Sequence, residues 1–287
     1  MTFRHLLLAG AVLCGAFAGP AAAQIVDNPR GAAMGGAVRG DPLGTSALEY
    51  NPAGMSRAYL YTLEGHYFRG GPGERNVVGV AVVDSKTQPA LAVGVGYSFE
   101  FTDSAADVEV QGHDIKLGFA SALVPKKVHA GLTLNYLTYD FEGGDPLEGF
   151  TLDAGMLFSI TPALHLGLVG QDLINLDHPS KPRRAGGGVA YTGALLTLDV
   201  DALVDFDSQE DPKPVVATGL EILAAETVPL RLGYEWDGAR ETQWVSGGVG
   251  FISSGQAATG SQIGVTYRQN LDDTKSFLFG VGLTMFL

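Results

Sequence analysis

From residue 57 onward the chain alternates. At its carboxyl end Phe277, Phe279, Val281, Leu283, Met285 and Leu287 fall on one side of a period of two, with Ser276, Gly280, Gly282 and Thr284 on the other. That period is a strand, because successive side chains leave opposite faces. Leu196, Leu198, Val200, Ala202 and Val204 repeat it against Thr197, Asp199, Asp201 and Asp205. Aspartates are costly in the dry core of a soluble sandwich. The polar face is therefore assigned to a watery interior and the apolar face to lipid.

Extended along the chain, the pattern predicts strands at 57–69, 76–84, 89–101, 113–123, 128–141, 150–160, 163–173, 184–192, 195–206, 213–223, 228–237, 241–252, 259–269 and 275–287. Each is about the 9 to 11 residues with which a tilted strand crosses a bilayer. Their number is even, as in bacterial membrane barrels. Every second link is short and nearly uncharged, as in Thr161-Pro162-Ala163, Thr192-Gly193-Ala194 and Thr227-Val228-Pro229. The links between them are longer and acidic: 102–112, 142–149, 176–183, 207–212 and 270–274. Short turns on one rim and longer loops on the other are the asymmetry of a transmembrane β-barrel. A secreted sandwich or propeller, the soluble alternative, accounts for strand number and glycine-rich turns but not for the two rims. The fold expected is all-β: a 14-stranded antiparallel transmembrane β-barrel spanning 57–287, both termini on the short-turn, periplasmic side. Tyr59, Tyr61, Tyr67, Tyr136, Tyr234, Trp236, Phe277 and Phe279 suit its interfacial girdles.

Composition sharpens this picture. Of 287 residues 46% are hydrophobic, yet no apolar run after residue 23 is long enough for a membrane helix. Forty glycines, about twice the usual share of roughly 7%, argue against a helical domain and suit the small positions of a barrel wall. A formal charge of −13 opposes a nucleic-acid partner, whose phosphates demand clustered Lys and Arg.

The first 23 residues follow another rule. Arg4 and His5 precede an apolar stretch, then Pro20 and Ala21-Ala22-Ala23, the order of a cleaved secretory signal peptide. Cys14, the only cysteine, lies inside it. A lipoprotein reading, with Cys14 acylated, fits poorly because bulky Leu13 precedes it. The mature chain is thus expected to have no disulfide and no thiolate metal site.

Residues 24–56 do not alternate. They contain Ala33-Met34-Gly35-Gly36-Ala37 and then Asn51-Pro52-Ala53-Gly54, just before the first strand. This pairing resembles the amino-terminal hatch of the FadL superfamily, which includes long-chain fatty-acid and aromatic-hydrocarbon channels and the PorV/PorQ outer-membrane proteins. Leu232-Gly233-Tyr234 and the run from Tyr267 to Leu287 also resemble late strands of the PorV-like branch. The resemblance implies an outer-membrane barrel of a Gram-negative bacterium, with 24–56 folded into the lumen as a hatch. It further implies that Gly35, Gly36, Asn51, Pro52, Ala53 and Gly54 form the hatch motif. Two features depart from it: the links are short, and the chain ends in Leu287 where barrel termini usually carry Phe.

By alternation Glu64, His66, Lys116, Asp153, Asp199, Asp201, Glu221, Arg231, Glu235 and Arg268 point into the lumen. There they pair across the wall, pin hatch charges Arg30, Arg39, Asp41 and Glu49, or meet a solute; Lys116, Arg231 and Arg268 suit a carboxylate. Catalysis finds no support: there is no G-x-S-x-G frame, and His66, His113, His129, His165 and His178 lack ligand spacing. No metal or cofactor is expected, since the acidic stretch Asp205, Asp207, Glu210 and Asp211 lacks a Ca²⁺-loop pattern. Gly94-Val95-Gly96 marks a close contact or bend, and in FadL-like channels a kink there opens a lateral exit.

Two functions follow. The first is a hatch-gated channel for small hydrophobic molecules; the alternative is a scaffold barrel in an envelope machine for secretion or gliding motility. Expected partners are outer-membrane lipid, the insertion machinery through the last strand, and either a hydrophobic ligand or envelope-complex proteins.

Overall fold

The computed structural model describes residues 28–71, 75–102, 109–254 and 259–287. The signal-peptide reading, Cys14 and the first residues of the 24–56 segment lie outside them. Fourteen antiparallel strands form a closed barrel in sequence order. They are β1 (Tyr61–Gly71), β2 (Arg75–Asp84), β3 (Ala92–Thr102), β4 (Val110–Val124), β5 (Val128–Phe141), β6 (Leu147–Ser159) and β7 (Leu164–Gln171). The second half comprises β8 (Arg184–Thr192), β9 (Leu196–Asp205), β10 (Lys213–Ala224), β11 (Val228–Asp237), β12 (Thr242–Ser254), β13 (Gly260–Asn270) and β14 (Phe277–Phe286). Last pairs with first, from Thr62 opposite Phe286 to Gly71 opposite Phe277. The closure reaches the last residue, whose amide donates to the Tyr61 carbonyl at 2.9 Å.

Alternation sorts the side chains as the period requires. Leu198 and Val200 of β9 are exposed on the outside, while Asp199 and Asp201 between them are buried. Leu232 is 62% exposed and Ile263 60%, among a belt of outward Val, Leu and Phe. A continuous apolar surface of this extent does not persist in water; it is the lipid face of a transmembrane barrel.

Several strand ends shift by one to four residues from the periodic reading, with β3 starting at Ala92 instead of 89, β4 at Val110 instead of 113 and β6 at Leu147 instead of 150, and two further ends have a polar cause. β1 begins at Tyr61 and not at residue 57, because Arg57 is held inside by Asp41 and by His165, 2.9 Å away. β7 stops at Gln171: Asp172 takes a left-handed φ of 53°, its amide donates to the Asp153 carboxylate at 2.7 Å, and the Leu173 amide turns to the Leu152 carbonyl. The ladder between β6 and β7 therefore runs only from Ala154–Gly170 to Ser159–His165. Above it the segment 172–183 bridges the gap, with Leu176 packed on inward Leu137, Tyr139 and Leu147 and His178 stacked on Phe141 at 5.2 Å. Through Gly94–Gly96 the ladders to β2 and β4 continue without a register shift. Those glycines are close contacts, admitting Leu48 and Met55.

Candidate functional site: the occupied lumen

Residues 28–56 fold as a compact plug on the inner side of the wall. They contain two short helices, α1 (Pro29–Ala33) and α2 (Thr45–Tyr50), and a 3-10 turn over Pro52–Ser56. Asn28 caps α1, its side-chain oxygen accepting from the Gly31 amide at 3.1 Å, and Pro29 fills the first turn, where an amide has no partner. Helices this short have no stability of their own; packing and polar anchors on the wall hold them.

The plug seats against glycines of the wall. Gly94, Gly118, Gly131, Gly155, Gly167, Gly188, Gly219, Gly233, Gly248 and Gly282 each bring a plug atom where a β-carbon would sit. They pair across strands as Gly94–Gly118, Gly131–Gly155, Gly167–Gly188 and Gly219–Gly233. The result is a belt of bare backbone facing Leu48, Met55, Asn51, Pro52, Arg39, Gly40, Met34, Ala33 and Pro29. Where the belt lapses, the plug buries apolar surface: Ala47, Leu48 and Met55 join Ala81, Val83, Ala92 and Ala120.

The hatch-motif residues have distinct parts in this seat. Gly35 and Gly36 adopt φ of 67° and 82°, a region that penalises a β-carbon, and Gly35 lies on the Tyr234 backbone. Asn51 accepts from the Ala53 amide at 3.3 Å, which with Pro52 starts the 3-10 turn. Its amide donates to the Arg39 carbonyl at 3.1 Å and the Met156 carbonyl at 3.3 Å. One side chain thus ties together the turn, the plug backbone at Arg39 and β6. Gly54 lies against the Pro42 carbonyl.

All ten positions assigned to the lumen are on the inner face, and five of them, Glu64, Lys116, Asp199, Asp201 and Glu221, bond or pair with the plug. Glu64 accepts from Asn28 at 2.7 Å, Thr45 at 2.9 Å and Thr284 of β14 at 3.1 Å; His66 lies 3.5 Å from it. Asp201 accepts from the Val38 and Arg39 amides and the Arg39 guanidinium, each at 3.1 Å. Asp199 accepts from the Asp41 amide at 2.9 Å. Lys116 pairs with Glu49 of the plug. Glu221 lies 3.5 Å from Arg30 and 2.5 Å from Arg231. Asp153 binds Asn135 and the Asp172 amide, and Arg268 pairs with Glu235 at 3.4 Å and covers the Trp244 ring at 5.3 Å, with the Glu235 carboxylate facing Gly36 of the plug.

Further anchors escaped the periodic reading. Ser246 and Thr266 donate to the Ala33 and Pro29 carbonyls at 3.0 Å, and His129 meets Ser56 at 2.9 Å. These sites are inward by parity, but their short polar side chains carry no pattern that marks them as plug contacts.

Inside the plug, Asp41 is the centre. Burial works to raise its pKa, but Arg30, 3.0 Å away, and Arg57 outweigh it and hold the carboxyl below its ordinary value. Beside the plug remains a polar space of about 80 Å³ lined by Arg39, Glu49, Lys116, Asp153, Gln171 and Lys181 among others. The space is polar and roomy enough for a few waters. Among the described residues no cluster of His, Cys, Asp and Glu is arranged to hold a metal ion.

No protein-family model and no curated protein matches the sequence. Solved structures do match in shape. The toluene transporter TbuX of Ralstonia pickettii superposes with a TM-score of 0.63 at 12% identity, over 90% of this chain and 97% of that one. A FadL homologue of Pseudomonas aeruginosa gives 0.59 at 11% identity, over 90% and 96%. The monoaromatic hydrocarbon channel CymD gives 0.59 at 11% identity, over 92% and 97%. This chain therefore has the barrel fold of the FadL-type hydrocarbon transporters.

Proposed function

We propose that the protein is a non-enzymatic outer-membrane channel for small hydrophobic molecules, with 28–56 as its gate. One observation carries the reading: the barrel wall is complete, and its lumen is occupied by a segment seated through hydrogen bonds and ion pairs on a belt of glycines. Such a seat can be left and regained without unfolding the wall. The kinship of fold with TbuX and CymD, described as a toluene transporter and a monoaromatic hydrocarbon channel, supports an apolar solute. On this reading the short-turn rim and both termini face the periplasm, and β14 is the strand the insertion machinery recognises.

The geometry favours an exit through the side of the wall. The short β6–β7 ladder has the polar space at Asp153 and Gln171 on one side and an apolar groove at Ala154 and Gly170 on the other. Movement of 172–183, or of the plug, would join them. The test is uptake of radiolabelled toluene by proteoliposomes containing the wild type, Asp201→Ala, which loosens the plug, or Arg231→Ala. Altered uptake by either folded variant supports the channel. Wild-type uptake no faster than empty liposomes, with stoichiometric recovery of envelope proteins in a membrane pull-down, supports the scaffold instead.

A further inference from the structure

The lipid face is not evenly clad. Across β5, β6 and β7 the outward residues Ala130, Ala154 and Gly170 are small, Ala154 lying opposite Gly170 in the ladder. Phe119, Leu132 and Leu168 stand beside them, and an open groove of about 760 Å³ results. Its lining is almost wholly apolar and belongs to membrane-spanning strands, so water does not fill it favourably. A flexible hydrocarbon chain does, recovering the dispersion contacts that a void forfeits.

What lies at the end of the groove narrows the occupant. It reaches Leu123 at the foot of β4, and Lys126 and Lys127 stand exposed in the turn that follows. Lys86 is exposed in the neighbouring short turn. The loops of the opposite rim are acidic, with Glu142 and Asp145 between β5 and β6, Asp207, Glu210 and Asp211 between β9 and β10, and Asp272 and Asp273 between β13 and β14. A molecule with an apolar chain in the groove and a negative head at the short-turn rim matches both features.

We propose that this groove is a binding site for an anionic phospholipid of the short-turn leaflet, with one acyl chain against Ala130, Ala154 and Gly170 and the phosphate at Lys126 and Lys127. The site lies on the outer face of the wall, in the groove into which the proposed lateral exit would open, and its lipid preference is read without any transported solute.

Native mass spectrometry of the detergent-purified barrel, titrated with equal amounts of dioleoyl phosphatidylglycerol and dioleoyl phosphatidylcholine, tests it. The wild type is expected to retain one phosphatidylglycerol in preference to phosphatidylcholine. Replacing Lys126→Gln and Lys127→Gln should lower that retention roughly fivefold per lysine, leaving phosphatidylcholine unaffected. Filling the groove with Ala130→Phe and Ala154→Phe should lower both lipids. Equal retention of the two lipids by the wild type, or unchanged phosphatidylglycerol retention in the lysine variant, overturns the proposal, as does a dimer that excludes lipid. Heat-modifiable gel mobility checks folding, and if the phenylalanine variant fails to fold the lysine variant decides alone.

Discussion

Gly167 of β7 shows how much rests on missing side chains. A methyl group there would overlap the Arg39 carbonyl, and the plug backbone there, whose Arg39 amide Asp201 holds, resists moving away. Overpacking a close interior typically costs about 1–3 kcal/mol. Gly65 of β1 has nothing near its open side. Gly167→Ala should therefore increase hydrogen exchange throughout 28–56 while Gly65→Ala leaves it as in the wild type, with barrel mobility on gels intact in both. Equal protection in the two variants would show that the glycine belt does not seat the plug. Apart from Gly94, read with Gly96 as a close contact or bend, the sequence displays these glycines as an excess. Alternation gives the face of each residue, so Asp199, Asp201 and Glu64 are legible as inward. It does not give height along the barrel, which decides whether a glycine meets the plug, a neighbour or nothing.

At the scale of elements the plug behaves as one body pinned at Asp41. A carboxyl whose folded pKa is depressed adds stability that is whole above its ordinary value of 3.8 and fades as pH falls through the lower, folded one. Docking should thus be retained from pH 7 to 5 and weaken below about pH 4, seen as loss of exchange protection in 28–56. Arg57→Ala removes one of the two cations that offset burial, and should move this loss to higher pH. If the transition does not move, Asp41 is not the pin. The strands were legible because lipid outside and water or polar plug inside impose a period of two on every one of them. Among the ends that shifted, those at 57–60 and 172–173 have a polar cause, since Asp41 claims Arg57 and Asp153 claims the Asp172 amide. Such long-range polar partners leave no periodic trace. The resemblance of Asn51-Pro52-Ala53-Gly54 to a hatch marked the segment, but its seat on many strands at once came from the fold alone.

For the whole molecule, the acidic composition separates into two populations. One is solvated, mostly in the loops of the longer-loop rim, as Asp207 is beside Arg183 at 2.7 Å. The other is interior and matched against arginine, lysine and backbone amides. Breaking one partner of such a buried pair generally costs about 3–5 kcal/mol, so the interior charges constrain the fold far more than those of the rim.

Glu64 carries a consequence for assembly. It sits on the first strand, bonds Asn28 and Thr45 from the start of the chain, and bonds Thr284 from its last strand. The opening and closing sections of the polypeptide therefore meet at one carboxylate, beside the seam that completes the cylinder. A barrel that zips shut before its interior is furnished forgoes those bonds and strands a buried charge. Glu64→Ala should accordingly slow the appearance of the heat-resistant compact form during refolding into detergent micelles, and Glu64→Gln, which keeps acceptor and shape, should slow it less. Rates equal to wild type in both would separate the two events. On this view the lumen's contents act as a mandrel: the chain synthesised first sets the circumference around which the rest is wrapped.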